Sequence, residues 1–262
     1  MKLYIDIGGT NLRSICDSFS DSISSSEIGL YSYIAKTLKQ HPNIDGIGIS
    51  YAGQVDNGVI YSAPNISIDE HNIASRIYSE FGVKLAIDND LNCALLAEAN
   101  YFKTQNIAVV YVGTGLGGSV MSRGEIIRGF RNSAFELGHI PFKRFDNIVC
   151  GCGRDNCVEI SSSGSGLIKQ LGYSSLDEAR ESDRGVYDNF IDGLLHACGV
   201  MVTLANPEVL VLGGGVVGAN SYLADIVREN ISNFALRANL KELKIHSSEI
   251  SNGSLDGAKL LI

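Results

Sequence analysis

Lys2-Leu3-Tyr4-Ile5-Asp6-Ile7-Gly8-Gly9-Thr10-Asn11 opens the chain, and its reading decides the fold. A strand over Lys2–Ile7 runs straight into a Gly-Gly-Thr turn, and a second strand-like run, Leu12–Asp17, follows at hairpin distance. The pattern then restarts. Ile107–Val112 reads as a buried strand and runs into Gly113-Thr114-Gly115-Leu116-Gly117-Gly118. The likeness of the two stretches predicts two related halves, each opening with a strand and a Gly-Thr turn.

Between and after these stretches the periodicity alternates. Leu30, Ile34 and Leu38 recur every four residues and mark a helix that ends near His41-Pro42. Ile44–Ser50 reads as a strand, and Ile73, Ile77 and Phe81 stripe a helix that stops at Gly82. Lys84–Ile87 is a short strand opening into Asp88-Asn89-Asp90, whose acids are placed to cap a helix carrying Leu91, Leu95 and Phe102. Residues 141–165 read as irregular and hold a cysteine cluster. A long helix carries Phe190, Leu194, Cys198 and Ala205, before the strand Val209–Leu212 and the turn Gly213-Gly214-Gly215. One more helix carries Leu223, Ile226, Val227, Ile231 and Phe234, and Leu255–Ile262 reads as a short closing helix. Ser20–Ser26 is too brief for a linker, and the domain boundary falls near residues 95–107. The order is that of an α/β protein.

Composition narrows the function. A chain of 262 residues is long enough for one large or two modest domains. Its 21 Lys and Arg against 29 Asp and Glu give a net charge of -8, the wrong sign for general nucleic-acid binding. Hydrophobic residues at 45% and charged residues at 19% exclude a disordered chain. The N-terminal apolar run meets Asp6 too soon for a targeting segment, and glycines and polar residues break up the uncharged stretch Thr104–Ser122. A cytosolic protein without membrane or nucleic-acid partners is expected.

Three glycine-rich turns follow strands: Gly8-Gly9-Thr10, Gly113–Gly118 and Gly213–Gly215. Glycine lets main-chain N–H groups converge on phosphate oxygens, and a threonine hydroxyl adds a donor. The lysine of a P-loop is missing, and the spacing is not that of a dinucleotide fingerprint. The three together point to a phosphate-rich ligand held between two domains. Asp6 could hold Mg²⁺ through water, or merely cap its turn. Asp88 and Asp90 both offer a carboxylate of the kind that phosphoryl transfer to a hydroxyl needs as a base, or as a helix cap. Cys150, Cys152 and Cys157 lie within eight residues, with His139 eleven residues before the first. Three thiolates and an imidazole suit tetrahedral zinc. The spacing Glu136-x-x-His139 alone would fit a di-iron helix, but no paired copy exists. Cys16, Cys93 and Cys198 sit in apolar strings and read as core residues.

Asp6-Ile7-Gly8-Gly9-Thr10-Asn11 resembles the first phosphate loop of the actin, hexokinase and Hsp70-type ATPases. Taken with Asn89-Asp90-Leu91-Asn92-Cys93-Ala94, Gly113–Gly118, Glu136-Leu137-Gly138-His139 and the run Cys150-Gly-Cys152-Gly-x-x-x-Cys157-x-Glu159, the chain resembles the ROK family of bacterial sugar kinases and sugar-responsive repressors. The resemblance implies two actin-like (ribonuclease H-like) α/β domains with an interdomain cleft. The small N-terminal domain covers 1–98, with a C-terminal helix at 250–262 returning to it, and the larger covers 99–249 with the zinc loop. It also implies an ATP-dependent hexose kinase using Mg²⁺ and a structural Zn²⁺, and a homodimer or higher homo-oligomer. Asp90, the acid directly after Asn89, becomes the general base. Asn65, Asn89, Asp90, Glu136, His139 and Glu159 become the sugar set. Asp6, Gly8, Gly9, Thr10, Asn11, Gly113, Thr114, Gly115, Gly117, Gly213, Gly214 and Gly215 become the nucleotide set. His139, Cys150, Cys152 and Cys157 hold the metal, and Asp256-Gly257-Ala258 resembles the final adenosine-side helix.

Glucose is the default acceptor, with N-acetylmannosamine, N-acetylglucosamine, fructose and allose as alternatives and polyphosphate as a second possible donor. A non-catalytic sugar-binding regulator is the rival reading. Family repressors carry a helix-turn-helix ahead of the first loop, where this chain has five residues. Family members often carry Ala-Gly-Glu where this chain has Ala134-Phe135-Glu136, so Phe135 is expected to add bulk beside the sugar. Glu98 shares a helix face with Leu91, Leu95 and Phe102 and has no assigned role.

Overall fold

A computed structural model describes residues 1–172 and 175–262. The chain forms two compact units. The first comprises Met1–Tyr101, Arg128–Ala134 and Ile250–Ile262, the second Phe102–Ile127 and Phe135–Glu249.

In the first unit, β1 (Lys2–Ile7), β2 (Asn11–Cys16) and β3 (Phe19–Ser24) form an antiparallel meander, followed by helix α1 (Leu30–Gln40) and strand β4 (Gly46–Tyr51). A small hairpin of β5 (Gln54–Asp56) and β6 (Val59–Ser62) precedes α2 (Ile73–Phe81), β7 (Lys84–Asn89) and α3 (Asp90–Phe102). The main sheet has the order β3-β2-β1-β4-β7, with β4 parallel to both β1 and β7. Its central strands bury Leu3, Ile5, Ile7, Ile47 and Ile49, and the stripe Leu30, Ile34 and Leu38 of α1 joins the same core. α2 stops at Gly82 because its φ of 70° is left-handed, a conformation that costs glycine little.

The second unit repeats the plan. β8 (Ile107–Val112), β9 (Leu116–Ser122) and β10 (Glu125–Ile126) form the meander. Then come α4 (Val158–Ser161), α5 (Gly164–Leu171), α6 (Leu176–Ser182), the long α7 (Arg184–Ala205), β11 (Val209–Gly213), α8 (Gly215–Ala219), α9 (Leu223–Asn230) and β12 (Lys244–Ser247). The sheet order is β10-β9-β8-β11-β12, with β11 parallel to β8 and β12. Val110, Val112, Leu210 and Leu212 pack with Phe190, Leu194, Cys198 and Met201 of α7. The last helix, α10 (Gly253–Ala258), belongs to the first unit and lies on β1 and β4. It comes so close that a Cβ on Gly257 would stand 1.7 Å from the Cys93 carbonyl oxygen.

Three local features differ from the sequence reading. The serine-rich stretch is the edge strand β3, whose ladder to β2 needs no apolar alternation. The segment read as irregular contains α4 and the start of α5. The β5–β6 hairpin is closed by Asn57-Gly58, both left-handed at φ 49° and 79°, as a two-residue hairpin turn requires. No helix among the described residues is long and apolar enough to cross a membrane.

Candidate active site and metal centre

Strand ends and glycine turns position the groups of the first unit. Gly8-Gly9-Thr10 closes the β1–β2 hairpin, with the Gly8 N–H donating to the Asn11 carbonyl at 3.0 Å. A Cβ on Gly9 would stand 2.7 Å from the Cβ of Asn65, so the first phosphate turn and one candidate sugar ligand are in contact. Thr10, Asn11 and Asn65 are exposed. Asp6 is buried at the end of β1 and both its oxygens are engaged. Ser50 donates to Oδ1 at 2.9 Å and Arg13 to Oδ2 at 2.5 Å. A carboxylate offers about four lone-pair sites, so acceptor capacity toward a hydrated cation remains.

β7 passes directly into α3, and the two acids at this junction sit in opposite environments. Asp88 is buried and saturated with donors. Its Oδ1 accepts from the Asn89 N–H, Asn92 Nδ2 and Asn132 Nδ2, each at 2.8 Å. Its Oδ2 accepts from Arg128 Nε at 3.1 Å and Nη2 at 2.6 Å. Asp90 accepts from the following Leu91 N–H at 3.0 Å, and its own main-chain N–H and the Asn89 amide also hydrogen-bond the carboxylate. Burial, with the negative charge of Asp6 adding to it, pushes the Asp90 carboxyl up to about 6. Helix α3 thus starts on Asp90 itself, and the cap is Asn89, whose Oδ1 accepts the Leu91 N–H at 2.9 Å while Nδ2 donates to the Gly53 carbonyl at 3.1 Å. Glu98, further along α3, is fully buried.

The second unit holds the metal-type cluster. The ligand atoms of His139, Cys150, Cys152 and Cys157 all lie within 4.8 Å of one another. Cys152 and Cys157 sulfurs are 3.3 Å apart, and Cys150 Sγ is 3.5 Å from His139 Nδ1. Bonds of about 2.3 Å to zinc in a tetrahedron imply sulfur–sulfur edges near 3.8 Å, so the quartet fits the ion with small adjustments. Arg154 pulls the Cys152 thiol down to about 6, whereas burial pushes Cys150 up to about 12 and raises Cys157. Nδ1 faces the cysteines, which leaves Nε2 of His139 for a second partner. Cys16, Cys93 and Cys198 are buried in the cores.

Glu159 lies on α4, two residues after Cys157. The Cys150 thiol donates to its Oε1 at 3.4 Å, and the Leu116 N–H to its Oε2 at 3.2 Å. The cluster, Glu159 and the second glycine turn are therefore joined. That turn is shorter than the sequence suggests: Gly113 N–H bonds the Gly115 carbonyl at 2.9 Å, and Gly117 and Gly118 already belong to β9. Gly118 is needed for packing, since a Cβ there would stand 2.6 Å from Met201 Cε. Gly213–Gly215 adjoins the second turn, with Gly215 N 3.9 Å from the Cβ position of Gly113. Glu136 is exposed, and Leu137–His139 forms a single 3₁₀ turn. Phe135 occupies the left-handed region at φ 58°, and its ring packs against the core of the second unit. Sequence reasoning missed Arg128, Asn132 and Ser50, whose roles depend on partners some 40 residues away in the chain.

Two sheets of one topology, each entered through a strand, a glycine turn and an antiparallel return strand, define the actin-like class of two-domain α/β proteins. Within that class, the model of the ROK family matches residues 5–262, and the chain belongs to this family. A glucokinase of Halalkalibacterium halodurans is 25% identical over 283 residues, covering 88% of this chain and 85% of its own. An N-acetyl-D-glucosamine kinase of Erwinia tasmaniensis is 28% identical over 215 residues, 73% of this chain and 71% of its own. The crystal structure of a ROK hexokinase from Thermus thermophilus superposes with a TM-score of 0.81 at 22% identity, over 99% of this chain and 96% of that one.

Proposed function

We propose that the protein is an ATP-dependent sugar kinase that transfers the γ-phosphate to a hexose hydroxyl, with glucose the first acceptor to test and N-acetylglucosamine, N-acetylmannosamine and fructose the alternatives. The observation that carries this reading is the contrast at the β7–α3 junction. Asp88 is held by five donor contacts, while Asp90 keeps a raised carboxyl with acceptor capacity to spare. A base with a pKa near 6 is ionised at neutral pH yet basic enough to take the hydroxyl proton as the phosphoryl group arrives.

The remaining roles follow from chemistry. Asn65, Asn89, Glu136, His139 and Glu159 are assigned to the sugar hydroxyls, which need paired partners once buried. Main-chain N–H groups of the turns at Gly8–Thr10 and Gly113–Gly115, with the Thr10 and Thr114 hydroxyls, are assigned to the phosphates, and Gly213–Gly215 to the adenosine side. Mg²⁺ bound with the nucleotide would neutralise phosphate charge, with Asp6 its candidate carboxylate. Zn²⁺ held by His139, Cys150, Cys152 and Cys157 would be structural and would fix the orientation of the His139 ring. The same reading takes the protein to be cytosolic and homo-oligomeric. A coupled phosphorylation screen of these sugars with ATP and Mg²⁺ tests it: turnover with at least one is expected, and none with any sugar or phosphate donor would refute it.

A further inference from the structure

We propose that the segment Arg128–Ala134 is a positioning device for Asp90, acting through Asp88 and Asn92, with Arg128 and Asn132 its working side chains. This rests on the reading of Asp90 as the base. In sequence the segment lies between stretches of the second unit, yet it belongs to the first.

The geometry is a closed ring. Asn132 Nδ2 donates to Asp88 Oδ1 at 2.8 Å, Asn92 Nδ2 donates to Asn132 Oδ1 at 2.9 Å, and Asn92 Nδ2 also donates to Asp88 Oδ1 at 2.8 Å. Asp88 stands two residues before Asp90 and Asn92 two after it. The ring therefore clamps the strand-to-helix junction on both sides of the base, and the junction fixes where the Asp90 carboxylate points. Asn132 is anchored in turn, its Nδ2 donating to the Val55 carbonyl at 2.8 Å. To reach this place the chain puts Arg131 and Asn132 in the left-handed region, at φ 54° and 56°. Strain of that kind persists where the surrounding bonds over-determine it, and it clusters at functional sites.

Charge completes the device. Three acids matter here: Asp6 at the end of β1, Asp88 at the end of β7, and Asp90. Asp6 is paired with Arg13 of β2, and Asp88 with Arg128. Asp90 makes no ion pair among the described residues. On α3 itself Cys93 is the neighbouring titratable group, and its thiol is held neutral by burial. Arg128 thus cancels the carboxylate that would otherwise repel a charged Asp90 from two residues away. Electrostatics of this kind shifts a neighbouring titration even where the fold holds.

The test uses Arg128→Met, Arg128→Lys and Asn132→Gly, the last of which keeps the left-handed backbone without its amide. In Arg128→Met the acid limb of kcat is expected to rise by about half a pH unit or more, and Arg128→Lys to restore it. In Asn132→Gly, kcat is expected to fall about tenfold or more while the sugar KM stays within about twofold. A ¹³C carboxyl titration of Asp90, assigned by its loss in Asp90→Asn, reads the same shift in Arg128→Met without any turnover. If the protein phosphorylates no sugar, the kinase reading falls, and the titration still decides the Arg128 coupling. If both readouts stay at wild-type values while only thermal stability drops, the segment is merely structural and the proposal is overturned. Should Arg128→Met fail to fold, an unchanged kcat in Asn132→Gly overturns it equally.

Discussion

The Glu159 carboxylate joins the cysteine cluster to the second glycine turn, accepting from Cys150 Sγ at 3.4 Å with one oxygen and from the Leu116 N–H at 3.2 Å with the other. The two contacts tie the cluster to the turn within the second unit. Protein purified without added metal is expected to contain one zinc per chain by elemental analysis. Cys152→Ser should lose the ion and lower Tm by about 5–10 °C, because metal affinity contributes to folding free energy. Its sugar KM should rise as well, since the His139 ring loses the metal that fixes its orientation.

Gly115 tests the other end of the bridge. A Cβ there would stand 2.6 Å from Glu159 Oε2, the tip of a side chain that can swing away. Gly115→Ala should therefore fold normally while displacing Glu159 from the Leu116 N–H. A charge-assisted hydrogen bond contributes about 1.5–3 kcal/mol, so the sugar KM is expected to rise tenfold or more by steady-state kinetics. Gly218→Ala, within α8 and with nothing within 4 Å of an added Cβ, should leave KM unchanged and raise Tm slightly, since alanine favours a helix more than glycine does.

How much of this was legible in the sequence depended on the distance over which each signal acts. The two strand–glycine–threonine openings and the helix stripes are local, and the central strands of both sheets follow from them, whereas the edge strands β3, β10 and β12 carry no clear apolar alternation. The quartet from His139 to Cys157 spans 19 positions and could be read from spacing and ligand chemistry. The hairpin at Asn57-Gly58 carried a strong local signal that the helix and strand periodicities overshadowed. Gly118 read as turn because glycine serves tight turns and close packing alike, and its neighbours Met201 and Leu137, distant in the chain, show that packing is its use. The resemblance at Asn89-Asp90 selected Asp90, but the engagement of Asp88 had no local signal, because it comes from Arg128 and Asn132, some 40 residues on, whose pairing is a product of the fold.

Proton acceptance by Asp90 should be visible in the pH profile. With its carboxyl raised to about 6, the ionised form is lost as pH falls through that value. The kcat is then expected to drop about tenfold per unit below pH 6, with a plateau near pH 7–8. A profile flat down to pH 5 would leave the proton to some other group.

Asp90→Asn separates catalysis from architecture, because the amide keeps the shape, still accepts the Leu91 N–H and still hydrogen-bonds a hydroxyl, but takes no proton. A general base contributes about 10²–10⁴-fold, so kcat should fall by that factor with little change in sugar KM. Stability should move the other way. The folded carboxyl titrates near 6 against an ordinary value of 3.8, so the native state binds the proton more tightly than the unfolded chain does. The stability this contributes is fully present below about pH 4 and is lost as pH rises through 6. Above that, the charged carboxylate costs the fold up to about 3 kcal/mol, and a neutral asparagine avoids the cost. At pH 7.5 the variant is therefore expected to melt at the same temperature as the wild type or higher, and the difference should vanish near pH 4. A variant that loses turnover and also melts earlier at pH 7.5 would show that the Asp90 carboxylate serves the fold, leaving the base to be sought elsewhere.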